Sequence, residues 1–516
     1  ASHLLLMQAG VYFERTGDGD GDKLLIHGRS HRALSISLDG MDTQDNALRA
    51  SSTMLDQPLI QLTAENVQEF KVVTGLGTAE TGRGGAHISA VTRAGGNKFH
   101  GATSWFHRNT VFNANEFFNN ASNPKVERPP LIRNQFAGRI SGPIFKNKTF
   151  FFVGYEAIRE SRGIPVLRTV YTAEARQGVF RYLDDIGTLG TTPEAVAANP
   201  GLIRSVNLFT CGAGIRTALN RDCVDSRFNA AFPSTVDPTV AGLMAKIPLP
   251  NNFDVGDGLN TGGFRFNAKS ITGQDTPSIR LDHKFNDKHN FYSTFNYLDR
   301  RIQGEAINGR EPQFPAIGRI GDRVTHSRSF SGTLASTFTN SLVNEFRGGW
   351  TAGENSFLVV DPLGLPLSLD FNNITDPAHE PGNGNDVRTM RNWHVRDTLS
   401  WLRGNHQFKG GFEWRRKSSN AYSLDEVLPD IDFDEDLNNP GFTEANLIAL
   451  STGGAVRDIE TPDLNRARGM MNDFMGAIGQ LELRFTSPTI NGPLQSVAER
   501  RIFRNNELDF FVTDTW

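Results

Sequence analysis

Between residues 98 and 516, short and long connections alternate between candidate strands, and this rhythm restricts the fold more than any single motif. The strands show period-two alternation, which marks a wall with one apolar and one polar face. Within 407–416, Phe408, Gly410, Phe412 and Trp414 share one face, while Gln407, Lys409, Glu413 and Arg415 share the other. Ile279, Leu281 and Phe285 oppose Arg280, Asp282 and Lys284 in the same way. Trp393, Val395, Leu399 and Trp401 oppose His394, Arg396, Thr398 and Ser400, and Phe346 and Trp350 oppose Glu345 and Arg347. Tight polar turns join the strands in pairs: Lys146-Asn-Lys148, Asn286-Asp-Lys-His289, Thr339-Asn-Ser341 and Arg403-Gly-Asn-His406. Between the pairs run long connections, about 109–132, 160–276, 299–326, 354–388 and 418–506.

A soluble sandwich has no reason to send every long loop to one end. A transmembrane barrel does, because its turns are short on one side of the membrane and long on the other. The expected strands are approximately 98–108, 134–144, 149–159, 277–285, 290–298, 327–338, 342–353, 389–402, 406–417 and 507–516. Each is near the roughly ten residues that a tilted strand needs to cross a bilayer. No run approaches 18 consecutive apolar residues, so a membrane-spanning helix is not expected. The apolar fraction is only 38%, yet Phe occurs 37 times and Gly 51 times, as suits pleated surfaces joined by tight turns. The 53 basic and 57 acidic residues are interspersed, which gives no nucleic-acid footprint.

Residues 1–97 differ. Their short apolar runs (Leu4 to Met7, Leu34 to Leu38, Phe70 to Val73) are broken by Gly-rich turns, with no long connection. They read as a compact α/β unit that precedes the barrel residues 98–516 and fills the lumen. No signal peptide is visible at Ala1-Ser2-His3, so the chain reads either as processed or as given without its native N-terminus.

Residues 35–160 carry an ordered set of motifs. Leu38-Asp-Gly-Met-Asp42 precedes Val67-Gln-Glu-Phe-Lys-Val-Val73, and Ala79-Glu-Thr-Gly-Arg-Gly-Gly-Ala86 runs into Ile88-Ser-Ala-Val-Thr-Arg-Ala-Gly-Gly-Asn-Lys-Phe-His-Gly101. Phe117-Phe118, Arg133-Asn-Gln-Phe136, Gly142-Pro143 and Lys148-Thr-Phe-Phe-Phe-Val153 follow. In this order and spacing the chain resembles the plug and first strands of Oar-like TonB-dependent receptors. That branch usually carries an N-terminal carboxypeptidase-regulatory-like domain. Ile247-Pro-Leu-Pro-Asn251, Arg280-Leu-Asp-His-Lys-Phe285, Leu342-Val-Asn-Glu-Phe-Arg347 and Phe511-Val-Thr-Asp-Thr-Trp516 extend the resemblance sparsely. It implies an outer-membrane antiparallel β-barrel of about 22 strands with a plug, of which about ten strands are present. Residues beyond this chain, or a second polypeptide, would then close the barrel, and the longer protein is the favoured reading.

The resemblance further implies a transporter of a Gram-negative outer membrane, driven by the inner-membrane TonB–ExbB–ExbD complex and the proton-motive force. Its surroundings would be outer-membrane lipid and lipopolysaccharide, with a surface lipoprotein or other outer-membrane proteins as further partners. The rival reading is an Oar-like surface protein with an adhesion, sorting or secretion-associated role. Asp39, Gly40, Glu69, Glu80, Arg83, Gly84 and Gly85 take structural or gating roles in the plug by the same resemblance, Glu69 and Glu80 being local partners for Arg83.

Other constellations point away from chemistry. Gly82-Arg-Gly-Gly85 lacks the Lys-Ser/Thr of a phosphate-binding loop. Asp18-Gly-Asp-Gly-Asp22 is followed by Lys23 where a calcium loop needs Gly, with no closing Glu. Asp430, Asp432, Asp434, Glu435 and Asp436 form an acidic segment in an expected outer loop, either solvated or attracting a cation or basic substrate. Cys211 and Cys223, twelve apart in a polar stretch, read as a loop disulfide of an oxidising compartment. The histidines lack metal-ligand spacing, and no nucleophile elbow or zinc-binding helix occurs, so no metal, cofactor or catalysis is expected.

Overall fold

In the computed structural model, described residues are 11–16, 21–26, 34–43, 65–73, 86–115, 117–121, 125–183, 193–209, 224–225, 230–231, 235–306, 309–365, 367–377, 385–424, 427, 429–433, 461–487 and 492–516. Strands β1 (Val11–Thr16) and β2 (Gly21–Ile26) form a hairpin. A four-stranded inner sheet follows, built from β3 (Leu34–Leu38), β4 (Met41–Asp42), β5 (Val67–Val73) and β6 (Ala86–Thr92) in the order β4-β3-β6-β5. Among the described residues before His100 the regular elements are strands, and the rest of the α/β unit expected there lies outside the described residues.

The wall is a ten-stranded antiparallel sheet. Its first strands are β7 (His100–Asn109), β8 (Leu131–Phe145) and β9 (Thr149–Tyr171). After two short hairpins, β10–β11 (Val179–Leu183, Ile203–Asn207) and β12–β13 (Val224–Asp225, Ala230–Ala231), it resumes with β14 (Thr261–Lys284), β15 (His289–Gln303), β16 (Gly321–Thr339) and β17 (Leu342–Val359). Strand β18 (Ser368–Asp370) lies outside the wall, which continues with β19 (Asp386–Arg403) and β20 (His406–Ser423). Strands β21 (Asp430–Phe433) and β22 (Ile478–Glu482) again lie outside, and β23 (Glu499–Thr515) completes the wall. Wall strands adjacent in sequence are adjacent in the sheet, whose two end strands are β7 and β23.

The expected short–long alternation is present, but the ladders run further than the alternation of residue types. Strand β9 continues to Tyr171 and β14 begins at Thr261, inside the segment expected to be a 160–276 loop. The other wall strands from β15 to β23 likewise reach into their expected loops. The reason is that the outward face stops being apolar before pairing stops. On β14 and the residue that follows it, the outward series Phe285, Leu281 and Ile279 is exposed and apolar, whereas Asp275 above it pairs with Arg159 at 2.8 Å. Ten residues separate Phe285 from Asp275, about 23 Å of height for a strand tilted by about 45°. That matches the apolar band of an outer-membrane barrel, roughly 25 Å tall. Above it, pairing persists in water.

Aromatic rings mark the lower limit of the band. Phe145, Phe285, Phe338 and Trp401 are exposed beside the four short turns, as are Phe99 and Trp516 at the same end of the wall. Ring contacts such as His283–Phe285 at 4.7 Å and Trp401–Phe408 at 5.8 Å tie them into a girdle of the kind that sits at headgroup level. Within the band the outward Asn344 donates to Asp397 at 2.7 Å, so these polar groups partly satisfy each other.

The largest apolar cluster of the described residues is found in the long connections. Tyr171, Phe180, Leu208, Phe314, Met470, Met471 and Phe474 are buried together in a cap at that end of the wall. Among the described residues the α-helices besides α1 (Phe117–Ala121) are α2 (Pro193–Ala198), α3 (Pro238–Met244) and α4 (Thr461–Met475), all three in the long connections. Asp237 caps α3 by accepting from the backbone N–H of Thr239 at 2.8 Å, with Pro238 at the first helical position. Arg176 donates to the carbonyls of Met244, Ile247 and Pro248 at 3.0, 2.7 and 2.6 Å, which secures the Ile247-Pro-Leu-Pro-Asn251 motif.

Placing a charge on the lipid face near the middle of the band tests the orientation of the wall. Leu281→Arg in the full-length protein should lose about 2–4 kcal/mol in lipid-vesicle unfolding, as charges do at a bilayer midplane. A loss under about 0.5 kcal/mol would mean that Leu281 does not face hydrocarbon.

Candidate functional site

The inner sheet meets the polar face of the wall along one transverse row of cross-strand partners. From β8 to β20 the row runs through Arg139, Gly154, Ser278, Asn296, Ser329, Thr351, Asn392 and Lys417, each opposite the next. Four of these meet the inner sheet and its flanking turn through polar groups. Arg139 pairs with Glu65 at 3.0 Å, and Ser278 accepts from Asn66 at 3.0 Å. Thr351 donates to the Asp42 carbonyl at 3.4 Å, and the Lys417 ammonium lies 3.2 Å from the Asp42 carboxylate. Gly154 belongs to the seat for steric reasons, since a Cβ there would fall 2.0 Å from the Asn66 side chain. One row of side chains thus makes a shelf.

Asp39 and Gly40 form the two-residue turn between β3 and β4, with φ of 50° and 78°. Positive φ at both positions is what a tight I′ hairpin demands, and Asp-Gly supplies it. Asp39 is buried and accepts from the backbone N–H and hydroxyl of Thr92 at 2.8 and 2.7 Å. Arg280 on the wall donates to the Thr92 carbonyl at 2.9 Å, so turn, β6 and wall are joined in series. Arg347 of the wall lies over Gly40, where any Cβ would collide with its guanidinium. Glu69 is exposed on β5 beside a register shift, away from this seat. Glu80, Arg83, Gly84 and Gly85 lie outside the described residues, as do Cys211 and Cys223.

Asp42 and Lys417 end a buried ionic chain. Lys417 also reaches Glu507 at 3.3 Å, and Arg415 bonds Glu507 at 3.1 Å, Asp509 at 2.5 Å and Glu413 at 2.8 Å. Glu413 lies 2.8 Å from His394 Nε2. The polar face of β19 and β20 was legible from alternation. Asp42, in contrast, stood in a motif with nothing in its sequence to single it out as the contact.

The long connections build a second cluster. Asp473 of α4 is fully buried and accepts from the Tyr171 hydroxyl at 2.5 Å and from the Asn372 backbone and side-chain N–H groups at 2.8 and 2.9 Å. Beside this node a cavity of about 270 Å³ is lined by Tyr171, Asn260, Asn372, Asn373 and Arg466. Asp430 and Asp432 belong to β21, which pairs in parallel with β18 and antiparallel with β22, and both are half-buried. Their carboxylates and that of Asp370 offer oxygens within 4.8 Å of one another, a set able to share a proton or a divalent cation. Asp434, Glu435 and Asp436 lie outside the described residues.

Burial, with Asp430 and Asp432 beside it, pushes the Asp370 carboxyl up to about 6. Burial likewise raises Asp376 to about 7, and Asp473 to about 6 against the hydrogen bonds it accepts. A carboxyl raised in the folded state disfavours folding once ionised. The cap is therefore most stable at acid pH and loosens as pH rises through about 6 to 7. Protease cleavage within α4 should be slower at pH 5 than at pH 8, with a protease active at both; faster cleavage at pH 5 would reverse the sign.

Lys417 is the wall partner of the buried Asp42, and breaking a buried ion pair costs about 3–5 kcal/mol. Lys417→Met should accelerate amide exchange over 37–43 while leaving exchange in β15 and β16 unchanged. Equal acceleration throughout would indicate general unfolding instead.

The outer membrane beta barrel domain family matches residues 91–516 of this chain. The TonB-dependent transporter Oar of Myxococcus xanthus is 28% identical over 133 residues, covering 25% of this chain and 12% of Oar. Among solved structures, the outer membrane transporter YddB of Escherichia coli has a TM-score of 0.47 at 13% identity, covering 84% of this chain and 47% of YddB. The ferric enterobactin receptor PfeA of Pseudomonas aeruginosa has a TM-score of 0.44 at 10% identity, covering 81% of this chain and 47% of PfeA. The chain thus spans about half the length of these two structures and a smaller part of Oar. With the lipid-facing band, aromatic girdle and family match over most of its length, this chain belongs to the outer-membrane β-barrel family.

Proposed function

We propose that the chain forms the plug and part of the barrel of a TonB-dependent outer-membrane transporter, with the plug in residues 1–97 and the wall in 98–516. The observation that supports this most directly is the chemistry of the shelf. The inner sheet is seated on the wall through ion pairs and hydrogen bonds, Asp42–Lys417 and Asn66–Ser278 among them, while among the described residues its own buried apolar cluster is small. Polar groups released from such a seat regain partners in water, so the plug can leave without exposing a large apolar face. A pull from the inner-membrane TonB–ExbB–ExbD complex would supply the work, and the polar wall face would line the opened path. The similarity to Oar, a TonB-dependent transporter by name, points the same way.

In this reading no residue has a catalytic role. The cap covers the outer mouth, and Asp370, Asp430 and Asp432 hold a divalent cation that fastens β18 to β21. Added calcium should then slow cleavage within α4 at pH 8, and no change would remove the cation from the reading. The rival function is an Oar-like surface role without import.

Cells producing the full-length protein decide between the two functions. Profiling of solutes consumed from the medium should show at least one whose depletion requires the protein, TonB and the proton gradient together. Depletion that persists without TonB, or a surface phenotype that does, would sink the importer and favour the surface role.

A further inference from the structure

At the upper border of the lipid-facing band the outward face of the wall is not uniform. On β9 and β14 to β16 its charges meet each other: Arg159 pairs with Asp275 at 2.8 Å, and His326 lies 3.1 Å from Asp299. On β19, β20 and β23 three arginines, Arg391, Arg416 and Arg504, are exposed. Ten, eight and twelve residues separate them from Trp401, Phe408 and Trp516 at the lower ends of their strands. These even intervals keep all three on the lipid-facing side and place them about 19–28 Å above the girdle. The apolar band of such a barrel is roughly 25 Å tall, so the arginines sit at its upper edge.

We infer that Arg391, Arg416 and Arg504 form a docking site for a phosphate group of a phosphorylated lipid in the outer leaflet. The long connections of outer-membrane barrels face outside, which makes this edge the outer one. The inference rests on membership of the barrel family and not on import.

The ladder brings the three side chains together. Arg391 is opposite Ser418, Ser418 is opposite Arg504, and Arg416 lies two residues below Ser418 on the same strand. Neighbouring strands about 4.8 Å apart, with a rise of about 3.4 Å per residue, put the three Cα atoms roughly 8–10 Å from one another. From there the guanidiniums can converge on one group. No carboxylate stands between them, since the cross-strand partners of Arg416 are Trp393 and Asn506. Among the described residues none of the three guanidiniums has an ion pair or a hydrogen bond. Glu354 of β17, the outward carboxylate opposite Thr389, is bonded by the Ser356 hydroxyl at 3.2 Å instead.

Unpaired charge is costly toward hydrocarbon, and a long arginine stem lets the head reach from the edge of the band into the headgroup layer. There a guanidinium fork matches phosphate oxygens in bidentate geometry. Trp393 is exposed two residues below Arg391, its ring 6.5 Å from that of Trp350, and supplies an aromatic floor at the interface. A neutral headgroup would leave the positive charge unmatched.

The test is the binding of fluorescent diphosphoryl lipid A to the full-length protein in detergent micelles, read by anisotropy. Unlabelled diphosphoryl lipid A should compete, and its dephosphorylated form should compete about tenfold or more less well. Excess inorganic phosphate should not displace the probe, because the site takes the phosphate of a lipid. Replacing Arg391, Arg416 and Arg504 together by Gln should weaken binding about tenfold or more, whereas Arg159→Gln, which removes an ion-paired arginine, should change it by less than about twofold. Equal competition by the dephosphorylated lipid, displacement by inorganic phosphate, or full affinity in the triple variant would each overturn the inference. Should the triple variant misfold, the competition series on the unaltered protein and a loss of about threefold or more in Arg391→Gln alone still decide. None of these outcomes depends on TonB.

Discussion

Hydrocarbon offers no partner to a backbone N–H or C=O, and the wall is arranged around that constraint. Every wall strand from β8 to β20 is paired on both sides, with register kept over as many as 23 consecutive partners between β9 and β14. Continuous pairing fixes which side chains face lipid and which face the lumen, because one strand cannot slip without its neighbours. The girdle and the shelf are both set by this one ladder. Their heights follow from residue counts along the strands.

Two kinds of interior result. Below, the inner sheet is held to the wall by charges and hydrogen bonds. Above, the long connections bury Tyr171, Phe314, Phe474 and their neighbours in an apolar core of their own. The contrast is energetic. An apolar core loses contacts cooperatively when it opens, whereas a polar seat exchanges partners with water. Within the cap the exceptions to apolarity are the carboxylates of Asp370, Asp376 and Asp473, all raised by burial, which make this otherwise firm unit sensitive to protons.

The wall was legible in the sequence because lipid on one side and water on the other impose a two-residue period. Trp393 to Trp401 and Phe408 to Trp414 could be assigned to faces without coordinates. The period fails above the band, where both faces meet water. For that reason the upper parts of β9, β14 and β20 read as loop although their ladders continue. The cap was illegible for a related cause, since its core gathers residues from connections far apart in the chain, as in the bond between Tyr171 and Asp473. Of the candidate site, the Asp39–Gly40 turn was visible as a motif. Lys417 was not, because a lysine in the upper part of a strand looks solvated until the strand holding Asp42 is placed beneath it.

The even spacing between the shelf and the lumenal row four residues outward has a consequence for how such a chain can change over generations. Both rows lie on one face because four residues separate them, and a strand presents the same face only at even intervals. Gaining or losing one residue between Ser278 and Gln274 would turn one set of side chains toward the membrane while the other stayed in the lumen. A two-residue change would keep the faces and alter only the height of the chamber. Insertions of any length remain open to the long connections. Descendants of this chain are thus free to lengthen their loops one residue at a time, but to remodel the chamber wall only in pairs.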